Sequence, residues 1–244
     1  MDWIYLSPHL DDVALSTGGL LWEQTQAGEH VSVWTICAGD PPDGEFSPFA
    51  ESLHARWGVG REAMEERRTE DIESCARLGA AYRHFEIPDC IYRRSSVTDH
   101  HLYDSEESLW ISVHPDEFQL VEQLVQLLIR DLPHGANLVC PMTLGGHVDH
   151  RLTRAVAERL EIPLWFYADY PYLLETEEPQ VPEDWALTVS PISPEGLLAW
   201  QESVAAHKSQ ISTFWPDLAD MREAIREYSL RMGGVCLWRK RDGS

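Results

Sequence analysis

The chain has 244 residues, of which 43% are hydrophobic and 25% are charged, proportions typical of a soluble globular protein. Its 41 acidic and 19 basic residues give a formal net charge of −22, which argues against nucleic acid or an anionic membrane surface as the main partner. The five cysteines are scattered without a C-x-x-C pair, and no apolar run approaches the roughly 18 residues of a membrane span. We therefore expect a cytoplasmic protein with reduced cysteines.

Strand and helix signals alternate along the chain. Apolar runs rich in β-branched and aromatic residues predict strands at about 3–7, 30–38, 82–87, 136–142, 163–168 and 234–240. Amphipathic segments predict helices at about 13–27, 61–79, 115–132, from 149 onward, 194–212 and 216–231. This alternation predicts an α/β fold with a mostly parallel, Rossmann-like sheet, helices on both faces and one domain over 1–244.

Two long stretches carry no strand or helix signal. Residues 39–60 are rich in proline and glycine, and residues 88–114 are irregular. Loops of this length inside a compact domain usually serve function, often as lids. We expect these two stretches to decide which substrate is bound.

A cluster of polar residues follows the first predicted strand. The stretch SPHLDDVALSTGG contains His9, Asp11 and Asp12 immediately before a predicted helix. Neighbouring carboxylates repel each other, and burying a charge without a partner is costly. A cation at this position would balance the charge of the two carboxylates, and the residue types fit a metal ion.

A second cluster, GGHVDH at 145–150, follows the strand predicted at 136–142. Ligands of open α/β sheets bind at the carboxyl ends of the strands, so both clusters are expected to face one crevice. Two histidines and a carboxylate form a common catalytic zinc site that leaves a position open for water.

Structural alternatives exist for several of these residues. Asp11 and Asp12 can stabilise the start of the following helix, and His147 and Asp149 can do the same for the helix after them. A histidine in a late helix, His207, is interpreted as a surface or packing residue. Two similar clusters, each between a buried strand and a helix, nevertheless favour a metal site.

The paired motifs resemble those of the PIG-L/LmbE-like de-N-acetylases, zinc enzymes that remove N-acyl groups, usually acetyl, from amino sugars. The family motif His-Pro-Asp-Asp is matched by residues 9–12, and His-x-Asp-His is matched by residues 147–150. Between them, Arg67-x-x-Glu70 followed by Leu78-Gly79 is similar to the family's helix after the second strand. Asp89 stands where many members carry an aspartate after the third strand.

The resemblance implies a role for each matched residue. His9, Asp12 and His150 would bind zinc, although such a site also accepts iron(II), cobalt or nickel. Asp11 would be the general base for the metal-bound water. His147 would stabilise the oxyanion or protonate the leaving amine, with Asp149 holding its ring. Residues expected to bind sugar hydroxyls or an attached anionic group are Arg67, Arg68 and Asp89.

The sequence departs from the family pattern at three places. Leu10 replaces the proline of the first motif, and Val13 replaces the glutamate that often follows the aspartates. Some members carry a tyrosine just before the second motif, where this chain has Leu144-Gly145-Gly146. Any help from a tyrosine at the oxyanion must therefore come from elsewhere in the chain.

The leading hypothesis is a zinc-dependent N-deacetylase acting on a small N-acetylated amino sugar or conjugate. A two-histidine, one-carboxylate iron oxygenase is an alternative, but such enzymes typically have all-β scaffolds and would leave Asp12 without a task. A two-metal phosphoesterase would need more ligands at the strand ends. A non-catalytic sugar- or metal-binding module needs neither a base at Asp11 nor an acid at His147. The substrate and the oligomeric state are not defined by the sequence.

Overall fold

A computed structural model describes residues 1–57, 60, 63–175 and 184–241, apart from the side chains of 57, 174 and 175. Within these residues seven strands form one sheet in the order β3-β2-β1-β4-β5-β7-β6. The strands are β1 (Asp2–Ser7), β2 (His30–Thr35), β3 (Ala81–His84), β4 (Asn137–Pro141), β5 (Leu164–Tyr167), β6 (Trp185–Ser190) and β7 (Val235–Lys240).

Strands β1 to β5 pair in parallel, and β7 is antiparallel to both of its neighbours. The chain builds the sheet outward in one direction through β1, β2 and β3, and then in the other direction through β4 and β5. The order therefore reverses between the neighbouring strands β1 and β4. In open α/β sheets such a switch point opens a crevice at the carboxyl ends of the strands.

Helices cover both faces of the sheet. On one face, α4 and α5 pack apolar residues such as Leu124 and Val156 against β1, β4 and β5. On the other face, α1, α6 and α8 surround the fully buried Trp200. The helices are α1 (Asp12–Gln26), α2 (Pro48–Trp57), α3 (Ala63–Leu78), α4 (Phe118–Asp131), α5 (Val148–Glu158), α6 (Pro194–Ala206), α7 (Lys208–Phe214) and α8 (Leu218–Met232). The predicted fold class is confirmed.

Three local predictions were wrong. The stretch 39–60 contains helix α2, which begins at Pro48 and is capped by the Ser47 hydroxyl, because proline is well accepted in a first helical turn. Strand β6 was missed because it lies at the sheet edge and lacks a buried apolar run. The helix predicted at 194–212 breaks at His207, whose backbone leaves the helical region at ψ 59°.

Among the described residues, no helix is both long and apolar enough to cross a membrane.

Candidate active site

The two motif clusters meet at the switch point of the sheet. His9, Asp11 and Asp12 follow β1, and His147 and His150 follow β4, the neighbouring strand. The ring centroids of His9 and His150 are 5.5 Å apart, although the residues are 141 positions apart in the chain. The expected convergence at the carboxyl ends of these strands is therefore observed.

The Asp12 carboxylate lies between two imidazoles. Its Oδ2 atom is 3.2 Å from Nδ1 of His9 and 3.4 Å from Nε2 of His150, and it accepts the backbone N–H of His9 at 2.8 Å. Among the described residues no atom forms a hydrogen bond with the buried Nε2 of His150. A buried nitrogen without a partner, facing a carboxylate and a second imidazole, fits a metal ligand.

Asp169 completes the environment of His150 from the end of β5. Its Oδ1 atom is 2.5 Å from Nδ1 of His150, and its Oδ2 accepts the backbone N–H of Leu144 at 3.0 Å. A carboxylate on the outer nitrogen of a metal-binding histidine fixes the ring and its tautomer. Asp169 was missed in the sequence, although its position directly after a predicted strand matches that of the two motifs.

The Asp149 carboxylate contacts His9 and a buried arginine. Its Oδ2 is 3.1 Å from Nε2 of His9 and accepts the backbone N–H of Cys90, while its Oδ1 is 2.6 Å from Nη2 of Arg93. We expected this carboxylate to hold the His147 ring. Instead the backbone N–H of Asp149 donates to Nδ1 of His147 at 3.2 Å, because His147 caps helix α5.

Asp11 stands at the cap position of helix α1, but its side chain makes no capping hydrogen bond. The nearest cation is Arg67, whose Nη2 lies 3.6 Å from Asp11 Oδ2. Burial raises the pKa of Asp11 above its usual value, while the charge of Arg67 opposes the shift. Of the residues considered as helix caps, His147 therefore caps its helix, whereas the Asp11 side chain does not.

The carboxylates of this cluster create a field that favours positive charge. Burial opposes protonation of His150, but Asp12 and Asp169 outweigh it and raise the pKa of His150 to about 10. In the same way, hydrogen bonds to Asp12 and Asp149 overcome burial and raise the pKa of His9. A divalent cation supplies the positive charge that such a field stabilises.

His147 differs from the other two histidines. Burial, reinforced by the charge of His9, lowers the pKa of His147 to about 4. Three sets of potential ligand atoms nevertheless lie within 4.8 Å of one another, and all of them draw on the motif residues. The sets are His9, His147 and His150; Cys90, His147 and Asp149; and His9, Asp89 and Asp149. The cluster therefore fits a divalent metal ion.

The three residues expected to bind substrate occupy different positions. Arg67 and Asp89 line the cleft above the cluster, and Asp89 Oδ2 is 3.7 Å from Nε2 of His9. Arg68 instead binds the carbonyl of Ala38 and the exposed carboxylate of Asp40. Among the described residues that line the cleft, Arg68 is absent, so its expected substrate contact is not seen.

The cleft has a volume of about 130 Å³, and its lining includes His147 and the aromatic side chain of Tyr172. The Trp110 ring packs edge-on against His147 at 5.4 Å and lies 6.2 Å from the Tyr172 ring. Gly145 has a φ of +76°, and a Cβ there would lie 2.8 Å from Cβ of Tyr172. Gly145, one of the three residues that stand where some family members carry a tyrosine, thus makes room for Tyr172, whose ring is 5.8 Å from that of His150.

A comparison with known protein families identifies the family of this chain. The model of the PIG-L family, described as GlcNAc-PI de-N-acetylase, matches residues 4–160. The chain belongs to the PIG-L family. Both motif clusters lie within the matched residues. An iron oxygenase on an all-β scaffold agrees neither with this family nor with the mostly parallel sheet.

Two curated PIG-L relatives are 2′-N-acetylparomamine deacetylases. The enzyme of Streptomyces fradiae is 32% identical over 176 residues, which cover 69% of this chain and 57% of that enzyme. The enzyme of Niallia circulans is 29% identical over 198 residues, covering 72% of this chain and 69% of that enzyme. The match thus spans little more than half of the Streptomyces enzyme.

Solved structures share the fold over the full chain. The zinc-inhibited form of teicoplanin deacetylase Orf2 aligns with a TM-score of 0.82 at 27% identity, covering 100% of both chains. The A40926 pseudoaglycone deacetylase Dbv21 aligns with a TM-score of 0.73 at 26% identity, covering 97% of this chain and 95% of that one. These structures confirm the resemblance to PIG-L/LmbE-like deacetylases that the motifs indicate.

Proposed function

We propose that this protein is a divalent-metal-dependent N-deacetylase that acts on an N-acetylated amino sugar or sugar conjugate. The observation that carries the proposal is that Asp12 contacts both His9 and His150 at a cleft lined by His9, Asp12, Asp11 and His147. Membership of the PIG-L family supports the reaction class.

His9, Asp12 and His150 would hold the metal, with zinc as the expected ion. The Asp12 carboxylate faces nitrogens of both rings, and the unpartnered Nε2 of His150 offers a lone pair to a cation. The chemistry that a divalent cation supplies when bound is Lewis acidity, which acidifies water and polarises an acyl carbonyl. Asp169 would keep His150 in the required tautomer.

Asp11 is proposed as the general base. A base works best when its pKa lies closer to the operating pH, and burial raises the pKa of Asp11 in that direction. Its carboxylate would accept a proton from the attacking water and pass it to the leaving amine. Arg67, 3.6 Å away, would stabilise the negative charge of the carboxylate.

His147 is proposed to stabilise the oxyanion. Its Nδ1 accepts the backbone N–H of Asp149, so a neutral ring carries its proton on Nε2. A pKa of about 4 keeps the ring neutral at pH 7. A neutral N–H donor can stabilise negative charge on the acyl oxygen, and this favours the oxyanion role over protonation of the amine.

The relatives guide the choice of substrate class. Their names specify deacetylation of 2′-N-acetylparomamine, of teicoplanin and of the A40926 pseudoaglycone. In this chain Arg67 and Asp89, which line the cleft, would bind sugar hydroxyls. The exposed Trp110 ring, which packs against His147 of the cleft lining, would stack on a pyranose ring. All five cysteines are unpaired and buried, which supports a cytoplasmic location.

The test measures amine and acetate release from a panel that includes 2′-N-acetylparomamine and N-acetylglucosamine. We expect turnover by the wild type, its loss with a chelator, and its return when zinc is added. Asp11→Asn should lower kcat at least ~100-fold while metal content stays unchanged. Asp40→Asn, at the exposed partner of Arg68, is the matched control and should retain activity.

Metal analysis by mass spectrometry separates the competing hypotheses. About one metal ion per chain in the wild type, lost in His150→Ala, would support the joint site. The non-catalytic module would be favoured if the protein binds metal and sugar but converts no substrate, and if Asp11→Asn leaves this binding unaltered. Absence of bound metal after zinc addition would contradict the proposal.

A further inference from the structure

A buried histidine outside both motifs is left without a hydrogen-bond partner. His207 lies between α6 and α7 and is only 1% exposed. Among the residues that the structure describes, none bonds to either of its ring nitrogens. Buried polar groups almost always have hydrogen-bond partners, and the exceptions often have a functional cause. Of the two alternatives that the sequence left for His207, a surface residue or a packing residue, the surface position is wrong because the side chain is buried.

The packing of α6 against α1 determines where His207 lies. The backbone N–H of Ser193, before α6, donates to Glu23 near the end of α1 at 2.7 Å. Farther along α6, Nε1 of Trp200 donates to the carbonyl of Ala14 at 2.7 Å. The two helices therefore run antiparallel. His207, about two turns beyond Trp200, comes to the N-terminal end of α1.

Asp11 occupies that end of α1. The residues that follow His207 also reach the active-site cleft, since Gln210, Thr213 and Phe214 line it together with Asp11. We infer from this packing that the buried His207 ring lies near Asp11, on the protein side of the cleft lining.

The Asp11 carboxylate needs a hydrogen-bond donor in addition to its contact with Arg67. Its side chain is 6% exposed and does not cap α1, and the Arg67 contact of 3.6 Å is longer than a hydrogen bond. A general base must present one lone pair to the attacking water, so rotation of its carboxylate is harmful to catalysis. An imidazole with uncommitted nitrogens can supply the missing donor.

We propose that His207 is a positioning residue for Asp11, donating a ring N–H toward its carboxylate directly or through one water molecule. The inference rests on the proposed deacetylase function, because it assigns Asp11 as the base. His207 itself does not contact the substrate. It acts by holding the carboxylate in the orientation that accepts the proton.

The kinetic experiment compares two substitutions at this position. His207→Phe fills the space without a donor and should lower kcat about tenfold to a hundredfold, with KM changed less than about twofold. His207→Gln retains an N–H donor and should recover most of kcat. Equal losses in both variants, or a loss carried by KM or by metal content, would overturn the proposal. His84→Phe, at a half-buried histidine bonded to Asp71, is the control.

A second measurement does not depend on activity. The ring ¹⁵N and ¹H resonances of His207 in the zinc-loaded protein are compared between the wild type and Asp11→Asn. They should shift in Asp11→Asn, whereas those of His84 should shift only in Asp71→Asn. Unchanged His207 resonances in Asp11→Asn would contradict the proposed contact. If the wild type hydrolyses no substrate but the resonances shift, the contact stands and the deacetylase function fails.

Discussion

The Asp169 carboxylate accepts the Nδ1 proton of His150 at 2.5 Å, and both side chains are almost completely buried. The bond leaves Nε2 of His150 as the nitrogen that faces Asp12. Because β5 lies beside β4, the residue after β5 reaches the histidine that follows β4. The tautomer that the proposed metal site requires of His150 is thus determined by a residue outside both motifs.

We predict that Asp169→Asn weakens metal binding. An amide keeps the size of the carboxylate but loses its charge, so His150 is held less firmly and becomes a poorer ligand. Loss of such an outer carboxylate typically costs ~10–100-fold in metal affinity. Competition with a chromophoric chelator measures the zinc affinity, and circular dichroism verifies the fold.

Asp71→Asn is the matched control for this prediction. Asp71 bonds to Nε2 of His84 at 2.8 Å and is also buried, but the pair links α3 to β3 away from the cleft. We expect a change in stability without a change in zinc affinity. If both variants bind zinc as tightly as the wild type, Asp169 has no role in the metal site.

The sequence was sufficient for the fold class and for the meeting of the two motifs, because both depend on local patterns. Alternating strands and helices imply a mostly parallel sheet, and residues after parallel strands share one edge. The contacts of Arg68 with Asp40, and of Asp149 with Arg93, were not predictable in this way. They depend on where the segments that carry Asp40 and Arg93 lie in the folded chain, which local periodicity does not encode.

We predict that Gly145→Ala destabilises the protein more than Gly135→Ala. Both glycines have positive φ, +76° and +78°, so both substitutions incur backbone strain of about 1 kcal/mol. A Cβ at Gly135 meets nothing within 4 Å, whereas one at Gly145 would lie 2.8 Å from Tyr172. Urea denaturation should show an additional loss of about 1–3 kcal/mol for Gly145→Ala.

The displacement of Tyr172 should also affect the cleft. Tyr172 lines the cleft beside His147, so Gly145→Ala is expected to change KM for the acetylated sugar, while Gly135→Ala leaves it unchanged. Equal destabilisation by the two alanines would mean that Tyr172 moves aside without cost.

Replacing a glycine of helix α1 by alanine should destabilise the protein, contrary to the usual effect of this substitution in a helix. Replacing a helical glycine by alanine generally stabilises a protein by up to about 1 kcal/mol. At Gly18, however, a Cβ would lie 2.6 Å from Cδ1 of Trp200, whose ring is fully buried and bonded to Ala14. We expect Gly18→Ala to destabilise by about 1–3 kcal/mol because the ring cannot retreat.

A double-mutant cycle tests the cause of that loss. In a Trp200→Leu background the smaller side chain removes the overlap, so Gly18→Ala should be neutral or stabilising there. Thermal unfolding of the four proteins gives the coupling energy. The same destabilisation in both backgrounds would show that the overlap with Trp200 is not responsible.

The last prediction concerns acid stability and a pair of residues outside the active site. Hydrogen bonds from Arg130 and Arg83 lower the pKa of Asp131 below its usual range. Asp131 lies at the end of α4, so its contact with Arg83 links this helix to β3. The Arg83 guanidinium stacks on the Trp34 ring at 4.7 Å. A depressed pKa in the folded state stabilises the protein above the unfolded-state pKa of about 3.9.

Asp131→Asn should therefore lower the free energy of unfolding near neutral pH. The difference from the wild type should shrink as the pH falls through the folded-state pKa of Asp131, because the protonated carboxyl loses the same interaction. Urea denaturation of both proteins at several pH values between neutrality and acid measures this convergence. Asp99→Asn is the control, since Asp99 pairs with Arg94 on an exposed loop, and it should have little effect at any pH. A difference for Asp131→Asn that is independent of pH would show that the carboxylate charge is not what stabilises the contact.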